Sequence, residues 1–236
     1  MNIGNTIHVL GFTKNKDAMY RTCAEVERIG FKPIPFWNFP TPYTKYLQNV
    51  LPNMNKPMRS CPSFFNSGWG HYSILCVARD LGEVPVFVVE DDCRFLNDVD
   101  TLHSALAKIP EDADLVLLDS FGAHDNQDEF KKWRSLAKDG WARVEAARSA
   151  AAYIVGPRAI DRLINLGDRG TRGKRVRIFD QWFEERWLVG MNIYCAVPNL
   201  AIQRGTEDAN ASRISADSNL RKYIEMGLDL SSYAAW

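Results

Sequence analysis

No stretch of this sequence approaches the ~20 consecutive apolar residues that a membrane-spanning helix needs. Net charge is missing as well, because 29 Lys and Arg balance 29 Asp and Glu across 236 residues. A chain without a global basic field has no general attraction for nucleic acid, which makes that partner the minority reading. The five cysteines (Cys23, Cys61, Cys76, Cys93, Cys195) are scattered and form no C-x-x-C pair, so neither a zinc knuckle nor a dithiol redox centre is indicated. They read as reduced, mostly buried thiols. Internal repeats and low-complexity tracts are absent too. Met1 to Phe12 has no basic segment leading into a long apolar one, which gives the expectation of a soluble, cytoplasmic protein.

What is present is an alternation of short apolar runs and helical periodicities. Hydrophobic residues make up 46% and charged ones 25%, proportions that suit one large α/β domain over 1–236. Thr6–Leu10 reads as a strand. Met19, Cys23 and Val26 then recur at helical spacing up to Gly30, and Lys32–Phe36 reads as an edge strand because it holds two prolines. From Trp37 to Asn66 prolines break any long element. Ser67 is expected to cap a helix over Gly68–Leu81 that Gly82 closes. Asp98 caps a further helix, Asp114–Asp119 is a strand, and residues 141–147 and 150–155 are two more. Pro157 opens a helix that Gly167 ends, followed by a basic loop (Arg169, Arg172, Lys174, Arg175, Arg177) over 167–177. A helix over Phe179–Leu188, a strand over Asn192–Val197 and a mostly irregular tail with a short helix at Leu220–Met226 complete the chain.

The most informative segment is Val86-Phe87-Val88-Val89-Glu90-Asp91-Asp92, four β-forming residues running into three acids. A buried strand reads as such an apolar run, and ligands of open α/β sheets bind beyond strand carboxyl ends. Three carboxylates there suit a hard cation such as Mg²⁺ or Mn²⁺ that keeps positions open for phosphates. Equally, a strand can end in solvated acids. Asp180, after the basic loop and at the start of a helix, is either an N-cap or a base kept ionised by the helix dipole; Asp119 is the second candidate base. Trp37, Phe39, Tyr43 and Tyr46 either stack on a sugar or base or pack their loop down.

Further pieces fall in a fixed order around these acids: Gly70-His71 before the strand, Ala152-Tyr153-Ile154-Val155 before a helix, Phe179-Asp180-Gln181, and Val197-Pro198-Asn199-Leu200-Ala201-Ile202-Gln203 with Asp208 and Ser212 beyond. This set, from Ile7 to about Ser215, resembles glycosyltransferase family 25, the lipooligosaccharide galactosyltransferases. Two positions depart from the family pattern. Gly70-His71 stands where the family has Ser-His, and Lys16-Asp17 with Arg21 stands where it has Asp-Arg.

The resemblance implies a GT-A-like, Rossmann-type α/β/α sandwich with a mostly parallel mixed sheet, nucleotide sugar bound by the 1–120 half and acceptor by the 121–236 half. It implies a metal-dependent inverting transfer of galactose or glucose from a UDP-sugar to a glycan or glycolipid such as lipooligosaccharide, with peripheral membrane contact left open. Glu90, Asp91 and Asp92 would hold Mn²⁺ or Mg²⁺. Asp180 would be the base and Asp91 a second catalytic carboxylate. Gly11, Phe12, Arg21, His71 and Gln203 would contact the donor. Two other readings stay open: a phage-type transferase acting on a modified DNA base, and an inactive nucleotide-sugar-binding module.

Overall fold

The computed structural model describes residues 1, 3–12, 16–38, 62–120, 127–145, 147, 149–172 and 190–203. In chain order the elements are β1 (Thr6–Phe12), α1 (Lys16–Arg28), β2 (Lys32–Asn38), α2 (Pro62–Leu81), β3 (Val86–Glu90), β4 (Cys93–Phe95) and α3 (Val99–Leu106). Then follow β5 (Leu115–Leu117), α4 (Gln127–Leu136), β6 (Trp141–Val144), β7 (Ala152–Val155), α5 (Pro157–Arg172), β8 (Ile193–Ala196) and β9 (Ala201–Gln203).

Strand periodicity of two divides the core. Val86 and Val88 of β3 belong to one apolar cluster and Phe87 and Val89 to another. β5 and β7 divide the same way, Leu115, Leu117, Tyr153 and Val155 against Val116, Ala152 and Ile154. Such strands are covered on both faces. α2 (Ile74, Leu75, Ala78) and α5 (Ala159, Ile160, Leu163, Ile164), with Trp133 of α4, close the first face. α1 (Met19, Val26) and α3 (Leu102, Leu106) close the second. The result is the α/β/α sandwich that the alternation of elements predicts.

The seven-stranded sheet has the order β2-β1-β3-β7-β5-β8-β6, and a separate ribbon pairs β4 with β9. β2, β1, β3, β5 and β8 run one way, β7 and β6 against them, so the sheet is mixed and mostly parallel. From β1 the chain goes outward to β2, at the sheet edge as its prolines require, then returns to β3 on the other side of β1. The direction in which strands are added to the sheet therefore reverses between β1 and β3. In open α/β sheets the crevice outside the carboxyl ends at such a point is the usual ligand site.

Local signals hold at several ends. Gly30 sits at φ 83°, which only glycine adopts freely, and lets the Phe31 N–H bond the Val26 carbonyl. Asp98 caps α3, accepting the Thr101 N–H at 2.8 Å. Three expectations are corrected. Helix α2 begins at Pro62, so Ser67 lies inside it and is no cap. Gly167 does not end α5, which runs on to Arg172 and takes in the first part of the expected basic loop. The strands expected at 141–147 and 150–155 are the shorter β6 and β7, separated by a bend in which Ser149 has φ 111°.

Candidate active site

Glu90 ends β3 opposite Leu10 of β1, and its N–H donates to the Ala151 carbonyl at 2.9 Å. Its carboxylate points into protein. Ser67 Oγ and His71 Nε2 both meet Oε1 at 3.0 Å, being one turn apart on the same face of α2. Gln203 Nε2 donates to Oε2 at 3.1 Å, brought there by the ribbon register that sets Cys93 opposite Gln203. The other ring nitrogen of His71, Nδ1, lies 2.9 Å from the Tyr153 hydroxyl, and both side chains are fully buried. Burial alone would raise the Glu90 carboxyl, but the hydrogen bond and charge interaction with His71, and then the bond from Ser67, outweigh it and hold the group below its usual range. Burial, with the Glu90 charge beside it, keeps the Tyr153 phenol protonated far up the pH scale.

Asp91 turns the other way, toward β1. Its Oδ2 accepts the Phe12 N–H at 3.3 Å, and its own carbonyl accepts Thr22 Oγ1 at 2.7 Å. A Cβ added to Gly11 would stand 2.9 Å from Asp91 Cβ and Oδ2 and 2.8 Å from Met19 Cε, so the close approach of β1 to this carboxyl needs glycine. Burial pushes Asp91 up to about 7; the Phe12 N–H works against that, the Glu90 charge adds to it, and the Arg21 guanidinium opposes it. Asp92 follows in the turn and is half-buried. Cys93 behind it is fully buried, its thiol raised first by burial and then by the charges of Asp119 and Asp92, which makes it an inert spacer.

A second buried polar group lies beyond the ends of β5 and β7. Asp119 accepts Ser149 Oγ at 2.8 Å and Asn199 Nδ2 at 3.0 Å, and Asn199 also donates to the Ser120 carbonyl at 3.2 Å. Asp119 has no exposed surface, which removes it from the reach of an acceptor hydroxyl.

The three acids thus diverge. Glu90 is taken up by α2 and β9, and Asp91 by β1. Among the described residues no group of three or more His, Cys, Asp or Glu is arranged to hold a metal ion. A cation shared with substrate phosphates needs only one or two carboxylates and no cage of protein ligands.

Of the residues singled out by sequence, Gly11, Phe12, His71, Glu90, Asp91, Asp92 and Gln203 come together here, with Arg21 close enough for its charge to act on Asp91. Asp180, Phe39, Tyr43, Tyr46, Asp208, Ser212 and the 173–177 part of the basic loop lie outside the described residues. Ser67, Tyr153, Ser149 and Asn199 are partners that sequence reasoning did not assign. Tyr153 and Asn199 lay in segments the sequence pattern singled out, and Ser67 carried a signal in its i−4 spacing from His71.

No protein-family model and no curated protein matches the sequence. Among solved structures the chain is similar to mouse xyloside xylosyltransferase 1 in its apo form, with 9% identity over 80% of this chain and 70% of that one, at a TM-score of 0.37. A likeness of that size carries no argument about substrate or mechanism.

Proposed function

We propose that this protein is a GT-A-like glycosyltransferase that moves a hexose, galactose or glucose, from a UDP-sugar to a glycan or glycolipid acceptor. One observation carries the reading: an acidic turn at the carboxyl end of a central strand, at the β1/β3 reversal point, pressed against a glycine that lets backbone approach closely. The order of sequence motifs around that turn supports it.

In this mechanism the donor lies across the ends of β1 and β3. Phe12 and Gly11 line the nucleotide side, and Lys16 and Arg21 of α1 set positive charge against the diphosphate. A divalent cation, Mn²⁺ or Mg²⁺, held by Asp92 with the donor phosphates would stabilise negative charge on the departing diphosphate. Asp180 takes the proton of the acceptor hydroxyl as its oxygen bonds the anomeric carbon from the face opposite the diphosphate; the bond from that carbon to the diphosphate breaks, and the carbon inverts. Glu90 and His71 shape the turn from behind.

Thermal unfolding with UDP-, GDP-, CMP- and dTDP-sugars, with Mn²⁺ and with EDTA, tests the reading, because a ligand bound only by the folded state raises its midpoint. A rise with one UDP-sugar that EDTA abolishes, together with loss of turnover in Asp92→Asn, is the expected result. No rise with any nucleotide sugar would overturn the proposal. A rise with no turnover toward any glycan would leave a binding module.

A further inference from the structure

We infer that His71, oriented by Tyr153, is a positioning residue that locks Glu90 as the anchor of the acidic turn, so that Glu90 supports Asp91 and Asp92 without itself contacting donor or cation. The functional part of this inference rests on the transfer reading above. A carboxylate offers about four lone-pair sites and no hydrogen. Three of them are taken, by Ser67 and His71 on Oε1 and by Gln203 on Oε2. Those donors stand on α2 and β9, and Tyr153 on β7 joins through His71, so one half-buried side chain ties three elements to the end of β3.

The tautomer follows from the partners. Because Glu90 only accepts, the hydrogen between it and the ring is on Nε2. With the ring neutral, the Tyr153 phenol, which burial keeps protonated, donates to Nδ1. Tyr153 thereby selects the tautomer that bonds Glu90, and neither ring nitrogen is left to serve a phosphate. His71 and Tyr153 have no exposed surface, so a donor reaches neither. The catalytic cost of losing this lock is misplacement of the turn, which acts on rate when reacting groups shift by about 1 Å.

The test compares His71→Gln with His71→Asn. A glutamine amide reaches as far as Nε2 and keeps the bond to Glu90, whereas asparagine reaches only the Nδ1 position. Both are expected to lower the unfolding midpoint. For transfer from a UDP-sugar, the Gln variant is expected to keep kcat within roughly threefold of the natural protein, and the Asn variant to lose roughly tenfold or more with little change in donor KM. Equal losses in the two variants, or losses that follow their midpoints, would mean a merely structural histidine and overturn the inference. The lock is also read without turnover, from the ¹⁵N shifts of the His71 ring. A protonated Nε2 and an Nδ1 signal that moves in Tyr153→Phe are expected; a protonated Nδ1 would overturn it. A natural protein that transfers no sugar but shows the expected ring signals would remove the transferase reading together with the catalytic role, and leave His71 a structural lock.

Discussion

A Cβ built on Gly70 meets the Leu10 Cδ1 methyl at 2.5 Å and Asn38 Nδ2 at 3.0 Å, so α2 lies on the ends of β1 and β2 at a distance that only glycine permits. This gives a physical reason for the glycine that stands before His71. One turn earlier, the Ser67 hydroxyl meets the same Glu90 oxygen as His71. Gly70→Ser is therefore expected to destabilise the fold by about 1–3 kcal/mol through overpacking, read by urea unfolding, despite the better helix propensity of serine. An unchanged midpoint would show that Leu10 yields freely. At the same scale, His8 of β1 is buried with Glu83 beside it, at 3.6 Å. Burial lowers its pKa, and the nearby Glu83 charge only partly offsets this. A depressed imidazole favours the fold above its unfolded value of about 6.5, and that contribution is lost as the pH falls through the lower folded value. His8→Gln should accordingly lose less stability than the natural protein between pH 7.5 and pH 5, compared in matched denaturant titrations; parallel losses would contradict the assignment.

Between β6 and β7 the chain reaches the site through one strained residue. Ser149, at φ 111°, is held there by its hydroxyl, which donates to Asp119 and accepts the Ala151 N–H at 3.3 Å. Backbone strain and side-chain bonds can be separated by two substitutions, since alanine removes the bonds and keeps the strain while glycine removes both. Ser149→Ala should cost about 1 kcal/mol more stability than Ser149→Gly, and equal costs would mean that the conformation is not strained. This bend also marks where sequence reading ran out. β3, β5 and β8 were legible because uninterrupted apolar runs hardly fit anything but covered strands, and α3 because Asp98 and its periodic leucines agree. The ribbon of β4 and β9 was not legible, since three-residue strands carry no period, yet that ribbon delivers Gln203 to Glu90. Ser67 was misread for a related reason: a serine before an apolar helical stretch has the look of a cap, and nothing in the sequence says that α2 starts at Pro62. The cluster of acids was visible, but its divergence was not, because the partners that turn Glu90 and Asp91 apart lie on elements distant in sequence.

Across the whole molecule, both apolar clusters are built on the same strands, with neighbouring residues of β3, β5 and β7 facing opposite sides. Chains beyond about 150 residues often unfold through intermediates, one layer parting before another. Here neither face can lose its helices without exposing strands whose backbone bonds the other face requires, which argues for one cooperative unit. Leu163 of α5 and Leu102 of α3 are fully buried on opposite faces and share no cluster. Each leucine-to-alanine change is expected to cost about 2–5 kcal/mol by leaving a cavity. If the sandwich is one unit, both changes displace the same transition, tryptophan fluorescence and far-ultraviolet circular dichroism stay coincident, and the double variant loses the sum within about 0.5 kcal/mol. If the layers part, Leu102→Ala splits the two probes while Leu163→Ala moves only one of them, and the site, which draws Asp91 against the α1 side and Glu90 against the α2 side, would then lose its geometry before the fold is lost.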